Sequence, residues 1–359
     1  MNDMEKRLTD WLGAQLPEAG HVRIEGLDRV EFGHSAEMMV LTVVTQGDHR
    51  QDVVLRLRPR PPALLEPYDL KRQFDILRSL EHTPVRVPRA LWLENSGDLS
   101  GRPFFVMERL PGTVYEMEVP EGADATPERI KRMCESMADQ LAAIHTVDLL
   151  ATGLNSLGDG RDHLQRELDR WSGEMHRVQR GPLPALERLL QALRDSKPVQ
   201  YEAVTLVHGD AKPGNFAFVG DDVSAVFDWE LAGVGDPLTD IGWMELLWMQ
   251  PVGITSHPDA PSIDEFIARY ETASGIRTQN RSWYRALNAF KMAVICLIGS
   301  MLFDDGVTDD QRFVLNASGI SLLTQLGLAD LGVHEQLDDG PVLPREERVQ
   351  QVQSRSPTA

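Results

Sequence analysis

His208, Asp210, Asn215 and Asp228 stand close together in the stretch LVHGDAKPGNFAFVGDDVSAVFDWE, which begins at Leu206. Asn215 and Asp228 offer hard oxygen donors of the kind that hold Mg2+, an ion that bridges phosphate oxygens and retains waters. A further carboxylate beside them, Asp210, can orient an alcohol and accept its proton. Phosphoryl transfer needs such a set, because a polyphosphate must be neutralised and aligned before an alcohol attacks it. The same residue types also serve structural ends: Asp210 and Asn215 as turn hydrogen-bonders, Asp228 as the end of a strand.

Three apolar runs, TLV, NFAFV and SAVFD, read as short strands around these residues. A turn between the first two can hold Asp210 at a cleft, and the hairpin that follows returns Asp228 to the same end. Upstream, RIEGLDRVEF, EMMVLTVVTQ, the turn Gly47-Asp48, RQDVVLRLR, ALWLEN and PFFVMERL predict a five-stranded antiparallel sheet. One helix interrupts it over YDLKRQFDILRSL, where Leu70, Phe74, Leu77 and Leu80 share a face. After Pro111-Gly112 the pattern turns helical. Thr126 and Pro127 start a helix with Ile130, Met133, Met137, Leu141 and Ile144 on its buried stripe. Asp236 before Pro237 is expected to cap another. The expected fold class is α+β and bilobal: an N-terminal lobe over 1–110, a mainly helical lobe over 111–334, and a polar tail over 335–359 expected to be disordered or loosely docked.

A chain of 359 residues exceeds what one hydrophobic core usually supports, which agrees with two lobes. Its formal charge of -19 would repel nucleic acid and anionic membrane surfaces, so neither is an expected partner. Cys134 and Cys296 lie in apolar helical patterns without ligand spacing, arguing against a disulfide framework or a zinc site. With no apolar signal core in MNDMEKRLTDWLGAQL, a cytoplasmic location is expected. The apolar run Met292 to Phe303, 12 residues long, is too short to span a bilayer. Trp229, Trp243 and Trp248 are expected in the core.

The ordered set VVLRLRPRP, KRQFDILRSL, VPRALWL, GRPFFVMERLPG, LAAIHTVD, LVHGDAKPGNFAF and VFDWELAGVGDPLTDIGW resembles the aminoglycoside phosphotransferase and choline kinase superfamily. That superfamily is a branch of the protein-kinase-like fold, and the likeness is greatest to the subgroup also found fused to acyl-CoA dehydrogenases. The resemblance runs from about Val22 to about Leu328. It implies ATP or GTP in the cleft between the lobes, Mg2+ below it, and a small hydroxylated acceptor held by the helical lobe. Position by position, Asp210 matches the catalytic base, and Asn215 and Asp228 match the metal ligands. Glu108 and Leu110 match the hinge that meets adenine, and Gly33 and Ser35 in EFGHSAE match the glycine-rich loop, with His34 between them. Asp240 matches an aspartate that braces the catalytic loop, through His208 or its backbone. Glu230 matches an acidic position near metal or substrate, and His145 a recurrent position at a helix end.

The chain departs from the family pattern at the phosphate-anchoring lysine, which falls on Arg56, and at its paired glutamate, which falls on Gln73. Asp69, one turn earlier, is the expected substitute partner. An outward-facing Arg56 on an edge strand is the alternative reading. A single glycine in EFGHSAE also leaves fewer amides able to approach phosphate closely. The resemblance therefore implies a Mg2+-dependent kinase of a small alcohol, with a nucleotide-binding regulatory module as the alternative. The acceptor could be a polycation drawn to Asp264, Glu265, Asp304, Asp305, Asp309 and Asp310, or a hydroxyacyl or other metabolic alcohol. Either a monomer or a homodimer is compatible with the sequence.

Overall fold

The computed structural model describes residues 3–30, 37–122, 125–308, 319–335, 337 and 339. Strands β1 (Arg23–Val30), β2 (Glu37–Thr45), β3 (His49–Leu57), β4 (Ala90–Glu94) and β5 (Phe104–Glu108) form one antiparallel sheet in the order β1-β2-β3-β5-β4. Gly47 (φ +85°) and Asp48 (φ +60°) turn the β2–β3 hairpin, as left-handed positions favour these residue types.

Each face of this sheet has its own helix, and the period of two in the strands decides which residues meet it. Leu55, Leu57, Phe104 and Val106 pack with Leu8 and Leu12 of α1 (Asp3–Gln15), where Trp11 meets Phe104 edge-on at 5.1 Å. Phe105 and Met107 face the other way, toward Ile76, Leu77 and Leu80 of α2 (Leu70–Leu80). Arg56 lies directly opposite Phe105 in the sheet. Because β3 is an inner strand, Arg56 is buried rather than outward on an edge.

The second lobe is built from α3 (Pro127–His145), α4 (His163–Val178), α5 (Pro184–Asp195), α6 (Leu238–Trp248), α7 (Ile263–Ser274), α8 (Arg281–Asp304) and α9 (Gly319–Asp330). Thr126 caps α3 by accepting from Arg129 N at 3.3 Å, and the five residues read as its stripe are all buried. α8 is 24 residues long, twice the apolar run visible in the sequence. By length and composition it could cross a bilayer, but 83% of its apolar window is buried within the fold, against α4, α5, α6 and α9.

Besides β7 (Thr205–Val207), β8 (Phe216–Val219) and β9 (Asp222–Val226), two strands that the sequence pattern does not single out appear: β6 (Thr113–Val114) beside β8, and β10 (Gly233–Gly235) beside β7. Pro237 rather than Asp236 occupies the cap position of α6; the Asp236 carboxylate accepts from Leu238 N at 3.0 Å and from Tyr284 Oη at 2.7 Å. Of the tail over 335–359 only three residues are described, and Asp339 accepts from Ala185 N at 2.6 Å at the start of α5.

Candidate active site

Strand β7 delivers the chain to His208, and a buried carboxylate on α6 fixes the turn that follows. Asp240 Oδ2 accepts from His208 N at 2.6 Å, and Oδ1 accepts from Gly209 N at 2.8 Å. The position after His208 must be glycine: φ is +80°, and a Cβ would collide with the Leu231 carbonyl. Asp240 also meets His145 Nε2 at 3.0 Å, while His145 Nδ1 meets Tyr270 Oη at 2.7 Å. Burial alone would raise the Asp240 carboxyl, but His145 and the loop amides hold it below the ordinary aspartate range. His145 is thus a buried structural residue that orients the brace.

The partners of His208 define its tautomer. Nε2 lies 2.8 Å from the Phe227 carbonyl, which can only accept, so Nε2 carries the hydrogen and Nδ1 accepts from Asp210 N at 3.2 Å. His208 is fully buried, against Trp229 at 4.6 Å between ring centroids. It therefore ties the loop that carries Asp210 to the segment that carries Asp228.

Asn215 Nδ2 donates to both the backbone and the carboxylate of Asp210, each at 2.8 Å. With both amide hydrogens aimed at Asp210, Asn215 Oδ1 is the oxygen left to face a cation. Asp228 follows β9 with φ +66°, an uncommon backbone for a residue other than glycine, and about a quarter (24%) of its side chain is exposed. An amide oxygen and a carboxylate suit Mg2+, which takes few protein ligands and completes its shell with phosphate and water. Among the described residues no group of three or more His, Cys, Asp or Glu is placed to hold a metal ion by itself, so the donors do not form an all-protein cage. Burial raises the Asp210 carboxyl above the ordinary range despite Lys212, the direction wanted in a proton acceptor.

Across the cleft Arg56 has different partners from those expected. Its Nε donates to Tyr68 Oη at 3.2 Å, and its Nη2 donates to Asp228 at 2.7 Å and to Glu230 at 3.2 Å. Asp69 is not its partner: that carboxylate accepts from Arg72 N at 2.9 Å and caps α2. Gln73 is buried beside Tyr68. The cation is therefore held by a tyrosine in its own lobe and by two carboxylates from the other. Burial would raise the Asp228 carboxyl, but the Arg56 charge and hydrogen bond hold it below the ordinary range.

At the hinge, Glu108 ends β5, donates its N–H to the Arg89 carbonyl at 2.9 Å and pairs with the Arg89 side chain at 3.1 Å; Leu110 is half-buried beyond it. Gly33, His34 and Ser35 lie outside the described residues. Three residues here carried no assignment from the sequence. Lys212, between Asp210 and Asn215, pairs with Glu116 at 2.9 Å, and its position inside the motif was the available signal. Lys291 Nζ donates to the Gly209 carbonyl at 2.5 Å from α8, and Tyr68 reaches Arg56 from the loop before α2. Neither of these two has a local signal in the sequence.

This architecture, a five-stranded sheet with a helix on each face joined to a helical lobe, is the protein-kinase-like fold of aminoglycoside phosphotransferases. A provisionally assigned aminoglycoside phosphotransferase of Ralstonia eutropha superposes with a TM-score of 0.76 at 24% identity, over 92% of this chain and 99% of that one. Aminoglycoside phosphotransferase APH(4)-Ia in ternary complex with ADP and hygromycin B gives 0.58 at 15% identity, over 94% and 100%. Residues 35–287 match the model of the phosphotransferase enzyme family (APH), and the chain belongs to that family. Acyl-CoA dehydrogenase family member 10 of Mus musculus is 31% identical over 258 residues, 68% of this chain and 24% of that protein. Acyl-CoA dehydrogenase family member 11 of Rattus norvegicus is 27% identical over 288 residues, 76% and 37%. The chain thus spans about a quarter to a third of the length of these curated relatives.

Proposed function

We propose that the chain is a Mg2+-dependent kinase that moves the γ-phosphoryl group of ATP, or of GTP, to a hydroxyl of a small molecule. One observation carries the reading: a braced loop holds the Asp210 carboxylate against Asn215 and beside Asp228. The acceptor hydroxyl would lie against Asp210, which takes its proton as the oxygen bonds to the γ-phosphorus. The bond from that phosphorus to the β–γ bridging oxygen then breaks, and the nucleoside diphosphate leaves. Asn215 and Asp228 would hold Mg2+, which neutralises charge on the phosphate oxygens. Arg56, reaching Asp228 from the other lobe, would lie along the phosphates and help close the lobes on the nucleotide. APH(4)-Ia, in its complex with ADP and hygromycin B, is a precedent for nucleotide and acceptor sharing this fold.

The test is an ATP- and GTP-consumption screen over aminoglycosides, macrolides, choline-like alcohols, sugars and hydroxyacyl thioesters. The expected result is acceptor-dependent nucleoside diphosphate release that matches phosphorylated product one for one. Nucleotide binding without turnover on any acceptor would favour the regulatory module, for which the buried Gln73 in place of an acid is the supporting observation.

A further inference from the structure

Gly209, the residue just before Asp210, is gripped at both ends by buried side chains, a carboxylate and an amine. Asp240 Oδ1 accepts from Gly209 N at 2.8 Å, and Lys291 Nζ donates to the Gly209 carbonyl at 2.5 Å. Lys291 is only 4% exposed, in a stretch of α8 where Phe290, Ala293 and Val294 are buried as well. The Trp243 ring lies 4.6 Å and the Trp171 ring 5.5 Å from its nitrogen, so aromatic faces cover it where the carbonyl does not. Burial pulls the Lys291 ammonium below the ordinary lysine range, against Glu167, Asp210 and Asp240, yet an amine donates to a carbonyl in either protonation state. Glu167, on α4, feels the same lysine: burial would raise its carboxyl, but Lys291, with His163 and Arg170, holds it below the ordinary range.

A buried polar stripe on α8 delivers this lysine. Tyr284, Asn288 and Lys291 follow one another at spacings of four and three, which puts them on one face of the helix. Tyr284 Oη donates to Asp236 at 2.7 Å, Asn288 Nδ2 donates to the Thr239 carbonyl at 2.8 Å, and Lys291 continues the stripe to Gly209. Where α6 packs on α8, a Cβ at Gly242 would stand 2.6 Å from the Tyr284 carbonyl, so glycine lets the two backbones approach. Asp240 and Lys291 are thereby carried as one unit.

Stability alone does not call for a lysine here, because an apolar side chain in place of a buried charge often leaves a fold as stable or more so. Glycine is the residue least restrained by its own side chain. At φ +80° Gly209 sets the course of the chain into Asp210, and its two flanking peptide planes are each held by one of the two side chains.

We propose that Lys291 is a positioning residue for phosphoryl transfer: with Asp240 it locks both peptide planes of Gly209 and so fixes where the Asp210 carboxylate stands. This role rests on the phosphotransferase reading above and adds to it a group that never touches substrate.

The test compares the full chain with Lys291→Met and with Lys291→Met combined with Glu167→Gln. In the double variant the Glu167 charge leaves together with the lysine, while glutamine keeps an oxygen for Trp171 Nε1, which Glu167 meets at 3.1 Å. Amide hydrogen exchange over 208–212 is expected to quicken about tenfold in both variants, with α3 and α8 unchanged, since one buried hydrogen bond is lost locally. ADP release from Mg·ATP, with the acceptor found in the screen above, is expected to fall roughly 10–100-fold in kcat while KM for ATP stays the same. Recovery of kcat in the double variant would assign the loss to an unpaired Glu167 and overturn the proposal. So would an unchanged kcat, loop exchange equal to wild type, or exchange quickened equally throughout the fold. Should Lys291→Met fail to fold, the double variant decides. A wild type that turns over no acceptor would sink the phosphotransferase reading instead, and exchange over 208–212 would still decide the grip on Gly209.

Discussion

The two sides of the cleft are held by different means. On the helical side, Asp240 accepts from His208 and Gly209, His208 bonds the Phe227 carbonyl and Asn215 donates to Asp210, all within residues 208–240, and most of these polar groups are buried. On the sheet side Arg56 has one neutral partner in its own lobe, Tyr68, and two acidic partners, Asp228 and Glu230, more than 170 residues away. The contacts of the first side all lie within one lobe; those of the second are complete only when the lobes meet. A base and a metal site must be preorganised before the nucleotide arrives, whereas a phosphate anchor can exchange a carboxylate for a phosphate as it binds.

If that contrast holds, the largest single effect belongs to the base. Asp210→Asn is expected to lower turnover roughly 10²–10⁴-fold while nucleotide binding stays nearly intact, checked by steady-state kinetics beside calorimetry. Unchanged turnover would remove Asp210 from that role.

Next comes Arg56→Ala, which leaves the Asp228 and Glu230 carboxylates facing each other without their cation. Breaking a buried pair in this way costs about 3–5 kcal/mol, so a clear fall in urea midpoint is expected without nucleotide. Since Asp228 keeps 24% of its side chain exposed, the lower end applies. Mg2+ with ATP should recover part of the loss, because ions at Asn215 and Asp228 replace the missing charge. The paired change Arg56→Lys with Gln73→Glu sharpens the comparison: if an in-lobe pair forms, the dependence of stability on Glu230 should shrink.

Asp240→Asn should cost about 1.5–3 kcal/mol, the range for hydrogen bonds to a charged group, and reduce turnover through the loosened loop. Its pH dependence has a definite sign. Because the folded carboxyl lies below the ordinary aspartate value of about 3.9, its contribution is fully present above that value and fades as pH falls through the lower folded one. The stability difference between wild type and Asp240→Asn should therefore be flat near neutrality and narrow in acid. Smallest is Tyr68→Phe, which removes one charge-assisted hydrogen bond to Arg56 while both carboxylates still hold the cation, a loss of about 1.5 kcal/mol read as a roughly tenfold weaker nucleotide affinity. An effect as large as that of Arg56→Ala would mean that Tyr68, not the cross-lobe carboxylates, holds the cation.

The contrast also explains what was legible in the sequence. Asp210, Asn215 and Asp228 fall in one continuous segment whose turns and strands bring them together, so that local context, more than the spacing itself, placed them at one corner. The stripe of α3 and the five strands of the sheet were readable for the same reason, since periodicity is local. Arg56 was visible as a charge, but its partners were not: Tyr68 and Glu230 meet it through tertiary packing, and Asp69 is drawn off by the helix cap. Lys291 reaches Gly209 from 82 residues away, in a run that reads only as apolar helix. β6 and β10, two and three residues long, are too short to show alternation, and two of the three β10 residues are glycine.

The most direct measurement of the central claim is the melting temperature of the full chain with Mg2+ and a saturating nucleotide. Ligand at a hundred times its dissociation constant stabilises a fold by about 2.7 kcal/mol, so Mg·ATP or Mg·GTP should raise the midpoint by several degrees. The shift should shrink when Asp228 is changed to Asn. No shift with either nucleotide, with Mg2+ present, would contradict the assignment of this cleft to phosphoryl transfer.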